Sequence, residues 1–406
     1  MKVLLVHKLF HLTGGAEVFF FETGRILEEQ GHEVAYFSTL SEKNQQSGFS
    51  QYFVNAPDFK AGNVAKRISA IGQIVYSQSA KDSFKLLLRD FQPDVVHVFA
   101  IFTHLSPSVL DACRESRIPV VMSCNDYKHI CPNYKLYHHG KLCDDCKGNK
   151  FYKAIFNKCC QDSMAYSVAS SLESSIHEYL NILRKNVRIF LFAGDFMAKK
   201  TEEFWGKDRF KWAKLMNPFD STKYLPSYDY DDYLLFFGRM VEEKGVDVLL
   251  DAMRLAPRCR LVLVGDGPQL ELLVEKSREL ALENVDFVGA KWGDELDLLL
   301  MNARFVVVPS LWHENFPYVI VQAFAMGKAV IGSDRGGIPE LIKDGERGYI
   351  YTASSPVALA ERIVELWDEP DVAVAMGKAA KQYTDKYFND GVFYSNLIAI
   401  YKEATK

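Results

Sequence analysis

A chain of 406 residues has room for two or three domains, and 48% hydrophobic with 25% charged residues is the composition of an ordinary globular protein with a large core. With 48 basic against 52 acidic side chains the formal charge is -4, which excludes a global cationic field and leaves no reason to expect nucleic acid as a partner. No apolar run reaches the ~18–20 residues of a bilayer span, and His7, Lys8 and His11 interrupt the start too soon for a signal peptide, so a cytoplasmic protein is expected, free or at the inner face of a membrane.

The first run, "KVLLV", leads through a glycine-containing loop to Gly15, a helical stretch from Ala16 to Gln30, a stop at Gly31 and a second β-type run, "EVAYFS". Further β-type runs stand at 94–99 ("DVVHVF"), 119–124 ("PVVMSC") and 187–192 ("VRIFLF"), separated by helical patterns. The pattern restarts with "YLLFFGRM" at 233–240, then 260–265, 284–289, 304–309 and 328–333, each followed by a helix candidate. Alternation of this kind predicts an α/β protein with parallel sheets covered on both faces. Between the halves, 217–232 ("NPFDSTKYLPSYDYDD") has no helical period and reads as a linker. We therefore expect a first doubly wound domain over 1–220, a second over 221–385, and a C-terminal helix over 386–406 packing back on the first. Two such domains expose strand ends to a cleft, where open α/β sheets bind ligands.

Gly238, Arg239 and Lys244 follow the first strand of the second half, so backbone amides, a helix dipole and two cations meet at one strand end and suit a diphosphate. Gly265 marks the next turn, and Val288 to Trp292 offer a floor for a base. In "LWHENFPYVIVQAFAMGKAVIGSDRGGIPELI" (311–342), Pro317 suits a first helical turn, the loop with Asn315 and Phe316 ahead of it can offer amides to an anion, and Glu314 can accept from hydroxyls. Phosphate and polyol recognition together point to a nucleotide sugar. No G-x-G-x-x-G follows the first strand, which argues against a nicotinamide oxidoreductase.

With "GGAE", "DVVH" at 94–97, "CNDYKHICPNYKLYHHGKLCDDC" at 124–146, "GRMVEEKG", "VGDGP" and the 311–342 stretch in hand, the whole chain resembles the retaining glycosyltransferases of family 4, glycosyl transferases group 1, with the GT-B fold. The resemblance implies transfer of a sugar from a UDP- or GDP-linked donor to an acceptor hydroxyl with retention, the leaving diphosphate taking the acceptor proton. It implies no cofactor for that step, and cell-surface polysaccharide or lipid-linked oligosaccharide assembly as the setting, with a saccharide or lipid-linked acceptor. Arg239 and Lys244 would hold the diphosphate, Glu314 the sugar, amides of Asn315 and Phe316 phosphate or sugar, and Gly14 and Gly15 the donor phosphates or acceptor. His97, Asn125 and Tyr127 would line the acceptor site.

Two departures stand out. The family's E-x7-E reads E-x7-Q, so Gln322 offers the ribose a neutral acceptor, and restoring the acid should hold or raise donor affinity. Asn125 replaces the histidine of an "HDY" turn and cannot carry charge. These departures leave room for a catalytically silent nucleotide-sugar-binding subunit, and the fold for a GT-B sugar-nucleotide 2-epimerase. Of eight cysteines, Cys131, Cys143, Cys146 and either Cys159 or Cys160 have the spacing of a tetrathiolate zinc site, the alternative being a reduced cysteine-rich loop over 124–160. Finally, the basic and aromatic stretch 184–215 reads either as a solvated helix face with core contacts or as a surface for anionic headgroups.

Overall fold

Among the described residues fourteen short strands form, and in the central ones nearly every residue is buried, as parallel strands covered on both faces require. In this computed structural model, which describes residues 1–57 and 64–406 apart from the side chains of 64–68, the chain divides into two units. The N-terminal unit comprises Met1–Leu136, Cys143–Pro218 and Phe393–Lys406; the second comprises Tyr137–Leu142 and Phe219–Val392. The boundary near 218 falls inside the proline- and aspartate-rich stretch, which holds only the short 3-10 turn Ser221–Lys223.

The N-terminal unit is built on β1 (Lys2–Val6), β2 (Glu33–Phe37), β3 (Val95–Val98) and β4 (Val120–Ser123); a two-residue hairpin, β5 (Tyr137–His138) and β6 (Lys141–Leu142), groups with the second unit. After it come β7 (Ile189–Phe192) and β8 (Trp212–Lys214), and the all-parallel sheet runs β2-β1-β3-β4-β7-β8. The C-terminal helix Asp390–Ala404 lays Phe393, Leu397, Ile400, Tyr401 and Ala404 into the core face that holds Val3, Leu5 and Phe19. The basic and aromatic stretch 184–215 is core rather than a lipid-facing surface: β7 is fully buried, and Phe190, Trp205 and Phe210 pack edge to face.

The second unit carries β9 (Leu234–Phe237), β10 (Leu261–Val264), β11 (Val285–Phe287), β12 (Phe305–Val308), β13 (Ala329–Ser333) and β14 (Gly348–Tyr351). Its parallel order, β11-β10-β9-β12-β13-β14, is the 3-2-1-4-5-6 order of dinucleotide-binding folds, reversing direction between β9 and β12. In the first sheet the corresponding reversal lies between β1 and β3.

Candidate active site

At the β9/β12 switch point the loops after both strands meet. Gly245 starts the helix Val246–Leu255 at a φ of 68°, and a Cβ there would stand 2.1 Å from the Pro309 carbonyl oxygen, so only glycine lets the two loops approach. Across this approach Lys244 Nζ donates to Glu314 Oε1 at 2.6 Å, and Ser310 Oγ donates to the same oxygen at 2.7 Å. Glu314 is only 4% exposed. Burial opposes its ionisation, but the Lys244 ammonium and the Ser310 hydroxyl outweigh that and hold its pKa below the usual carboxylate value. The ammonium also lies 5.8 Å from the centre of the Trp312 ring. Arg239 is exposed just beyond β9, with no ion pair among the described residues.

The glycine-rich turn after β13 exists to admit this loop. A Cβ on Gly336 would fall 2.2 Å from the Glu314 carbonyl oxygen, one on Gly337 2.5 Å from that of Asn315, and Gly337 N–H donates to the Glu314 carbonyl at 2.7 Å. Gly265 serves the neighbouring turn in the same way, its Cβ position lying 1.9 Å from the Gly238 carbonyl oxygen. Asn315 and Phe316 are half-buried ahead of the helix Tyr318–Ala325, with the Phe316 ring edge-on to Tyr318 at 5.2 Å. Val288, 36% exposed, lies just past β11, two strands from β9.

Gln322 has a partner that the motif alone does not suggest. Its side-chain amide donates to Asp297 Oδ1 at 3.2 Å. A glutamate at 322 would face that carboxylate, so restoring the acid would set two negative charges side by side.

In the N-terminal unit the candidate residues separate. His97 is fully buried, with Nδ1 2.7 Å from the Tyr401 hydroxyl and Nε2 2.8 Å from Ser123 Oγ, and its ring stacks on Phe99 at 4.1 Å. Burial takes its pKa to about 3. It pins the C-terminal helix to the sheet and does not line an acceptor site. Tyr127 is likewise fully buried, inside the main apolar cluster, and is a core residue. Asn125 is half-buried, and its buried Nδ2 has no hydrogen-bond partner among the described residues, as a residue awaiting a ligand would. Gly14 caps the helix Gly15–Glu29, and both glycines are exposed.

Three groups outside the expected site residues stand at the strand ends of the first sheet: Lys8 after β1, His104 in the loop after β3, and Asp126 after β4. Lys8 N–H donates to the Ala100 carbonyl, joining the two loops at 2.8 Å. Burial and the Lys8 charge lower His104 to about 4, while burial raises Asp126 against the pull of the Lys128 amide and of Lys8. Their common signal was position at strand ends, not residue spacing.

Cys131, Cys143, Cys146, Cys159 and Cys160 are all free and close enough for their charges to interact. Burial, then Cys131 and Cys143, push Cys146 to about 12, whereas donation from Cys159 lowers Cys160. Among the described residues no three of these sulfurs lie within 4.8 Å of one another, so the four-sulfur shell is not closed.

Two dinucleotide-type folds, one presenting a lysine–glutamate pair and an unpaired arginine at its switch point, define a nucleotide-handling protein of the GT-B class. The profile of glycosyl transferases group 1 matches residues 220–383 and that of glycosyltransferase family 4 matches residues 13–171. The chain belongs to the GT-B glycosyltransferases of these families. It is 25% identical to an uncharacterized 42.6 kDa protein in the cps region of Klebsiella pneumoniae, over 84% of this chain and 87% of that one. It is 33% identical to the uncharacterized glycosyltransferase MJ1178 of Methanocaldococcus jannaschii, over 39% of this chain and 46% of that protein; the match thus spans about half of that relative's length. Among solved structures, Anabaena Alr3699/HepE in complex with UDP superposes with a TM-score of 0.64 at 16% identity, covering 99% of this chain and 100% of that one. Sucrose-phosphate synthase (tll1590) from Thermosynechococcus elongatus gives 0.70 at 17% identity, covering 99% and 98%.

Proposed function

We propose that this glycosyltransferase moves a hexosyl group from a UDP- or GDP-linked sugar to an acceptor hydroxyl with retention at the anomeric carbon, in cell-surface polysaccharide or lipid-linked oligosaccharide assembly. The Lys244–Glu314 pair at the β9/β12 switch, beside the unpaired Arg239, carries the reading. Arg239 and Lys244 take the diphosphate, and the ammonium then shifts from its carboxylate partner toward phosphate, freeing Glu314 to accept from sugar hydroxyls. As the bond from the anomeric carbon to the leaving phosphate oxygen breaks, the acceptor oxygen bonds to the same face, and its proton passes to the leaving diphosphate. The two cations stabilise the negative charge that grows there. Gln322 presents its carbonyl oxygen to the ribose while Asp297 holds its amide group. On the acceptor side, Asn125 supplies a donor, with Asp126 and Lys8 beside it.

The relative solved with UDP, and another structure of the same protein in complex with UDP-glucose, support a nucleotide-sugar donor. The test is turnover: release of free nucleoside diphosphate from a UDP- or GDP-sugar that depends on added acceptor. Release without acceptor would favour a 2-epimerase or hydrolase, and binding without any release a silent subunit.

The reading also includes a structural zinc on Cys131, Cys143, Cys146 and one of Cys159 and Cys160. The loop around them has little regular structure of its own: a hairpin of two-residue strands, the four-residue helix Lys153–Phe156 and a small core of Cys146, Phe151 and Ala154. Metal binding would draw in the sulfurs and deprotonate Cys131, Cys143 and Cys146, whose thiols burial otherwise keeps neutral.

A further inference from the structure

Two helices flank β12: Asp294–Asn302 leads into it and Tyr318–Ala325 leaves it. On the second, Ile320, Val321, Ala323, Phe324 and Ala325 are buried, which leaves Tyr318, Val319 and Gln322 on the side turned from the core. Side chains on a helix lean toward its N-terminus, so Gln322 leans back toward the loop that carries Glu314.

The bond between the two helices fixes which end of the amide points where. A carboxylate only accepts, so the atom 3.2 Å from Asp297 Oδ1 is the Gln322 nitrogen, and the carbonyl oxygen is the end left for a ligand. The same contact uses one oxygen of Asp297. Among the described residues no donor or cation reaches its Oδ2, and the nearby Lys291 is paired with Glu295 at 3.5 Å. Burial and then the Asp297 charge raise the Tyr224 phenol, so the neighbour that feels this carboxylate is a neutral ring, itself stacked on Phe219 at 5.1 Å. Asp297 is a partly exposed carboxylate that an amide holds in place and no cation neutralises among the described residues.

We propose that Asp297 is the charged acceptor for the ribose of the donor, its Oδ2 taking one hydroxyl of the vicinal 2′,3′-diol and the Gln322 carbonyl oxygen the other. A diol donates two hydrogen bonds and needs two acceptor atoms; a carboxylate at 322 would supply both, and a glutamine supplies one. Asp297 restores the second acceptor together with the negative charge, which makes the bond about twice as strong as one to a neutral oxygen. Position agrees with the role. The ribose joins base to diphosphate, and Asp297 stands on the helix after the 288–292 turn offered to the base, while Gln322 stands on the helix after the Glu314 loop that Lys244 meets. A bond that only ties the helices together would, when lost, cost stability and leave ribose recognition untouched. The assignment rests on the nucleotide-sugar reading of the site.

The test is calorimetric binding of UDP and 2′,3′-dideoxyuridine diphosphate, with GDP and its dideoxy analogue as a second pair, to the full chain and to Asp297→Asn, Asp297→Ala and Gln322→Ala. The parent should prefer the ribose form of one pair by about tenfold or more, and both Asp297 variants should bring the two forms within about twofold of each other. Their affinity for the dideoxy form should equal the parent's, which shows that fold, base and diphosphate contacts survive. Gln322→Ala should lower the preference in part. A preference that persists in the Asp297 variants, or an equal loss for both forms, overturns the assignment. So does a parent that binds both forms alike. A parent that binds none of the four nucleotides at millimolar concentration overturns the donor-site reading itself, and the assignment with it.

Discussion

Replacing Gln322 by glutamate restores the family's acidic pair, and the structure gives that change a cost. The glutamine amide now donates to Asp297 Oδ1 at 3.2 Å. A hydrogen bond to a charged group is worth ~1.5–3 kcal/mol, and Gln322→Glu removes it. In its place two carboxylates would stand some ~4 Å apart, a repulsion of ~4 kcal/mol at an effective dielectric of ~20. Protonation caps that figure, because holding one carboxyl neutral at pH 7 costs ~1.36 kcal/mol per unit of raised pKa. Both side chains are partly exposed, so solvent screens the pair, and we expect a net loss of about 2 kcal/mol. For a domain of this size that lowers the thermal midpoint by roughly 4–8 °C. The sign with pH follows: a carboxyl whose folded pKa is raised destabilises most above its unfolded value, so the deficit should grow as pH rises from ~4 toward 7 and fade in acid. Adding Asp297→Asn should recover most of the loss. Thermal unfolding of the parent, both single variants and the double variant measures the coupling directly. A Gln322→Glu protein within ~0.5 kcal/mol of the parent, with no coupling to Asp297→Asn, would refute the charge argument.

Arg239→Ala should cut turnover about a hundredfold or more and leave the thermal midpoint unchanged, since Arg239 is exposed and makes no ion pair among the described residues. Lys244→Ala should cut turnover similarly but also lower the midpoint, because it leaves the buried Glu314 carboxylate without its cation. Steady-state rates with unfolding scans on the same preparations separate the two, and near-parental activity in both variants removes the diphosphate assignment. Buried His7, His97 and His129 have pKa values lowered to about 3, chiefly by burial, against 6.5 unfolded, so the unfolded chain binds the extra protons and stability should fall as pH drops below 6.5. Three protons amount to a slope of up to ~4 kcal/mol per pH unit, and unfolding midpoints that stay flat between pH 6.5 and 5 would contradict it. Protein purified without chelator should carry about one equivalent of zinc by elemental analysis; under about a tenth, with the thiols all titratable, rules the metal out.

The interior strands could be read directly, because β1, β3, β4, β7, β9, β10, β12 and β13 are apolar throughout almost their whole length. β8 and β14 escaped notice because an edge strand is covered on fewer sides: Trp212–Lys214 and Gly348–Tyr351 mix polar and apolar residues with no clear alternation. The glycines of the second half were legible as turns, but why they must be glycine depends on backbones that meet from distant stretches, as Gly336 meets Glu314. His97 misled for a physical reason. A strand-end histidine in sequence says nothing of which way its ring turns, and here it turns into the core toward Tyr401, 304 residues later. Asp297 was hidden in the same way, 25 residues before the glutamine it binds.

The central claim is that the β9/β12 switch holds the diphosphate of a nucleotide sugar, and the most direct measurement is ligand-dependent thermal unfolding with UDP, GDP and their sugars, in parent and Arg239→Ala protein. A ligand at a hundred times its dissociation constant stabilises the folded state by ~2.7 kcal/mol. The account predicts a clear rise in the parent with one of the two nucleotides and its sugar, and a rise at least tenfold weaker in apparent affinity in Arg239→Ala. No shift in the parent with any of these ligands at millimolar concentration, or the same shift in both proteins, would contradict it.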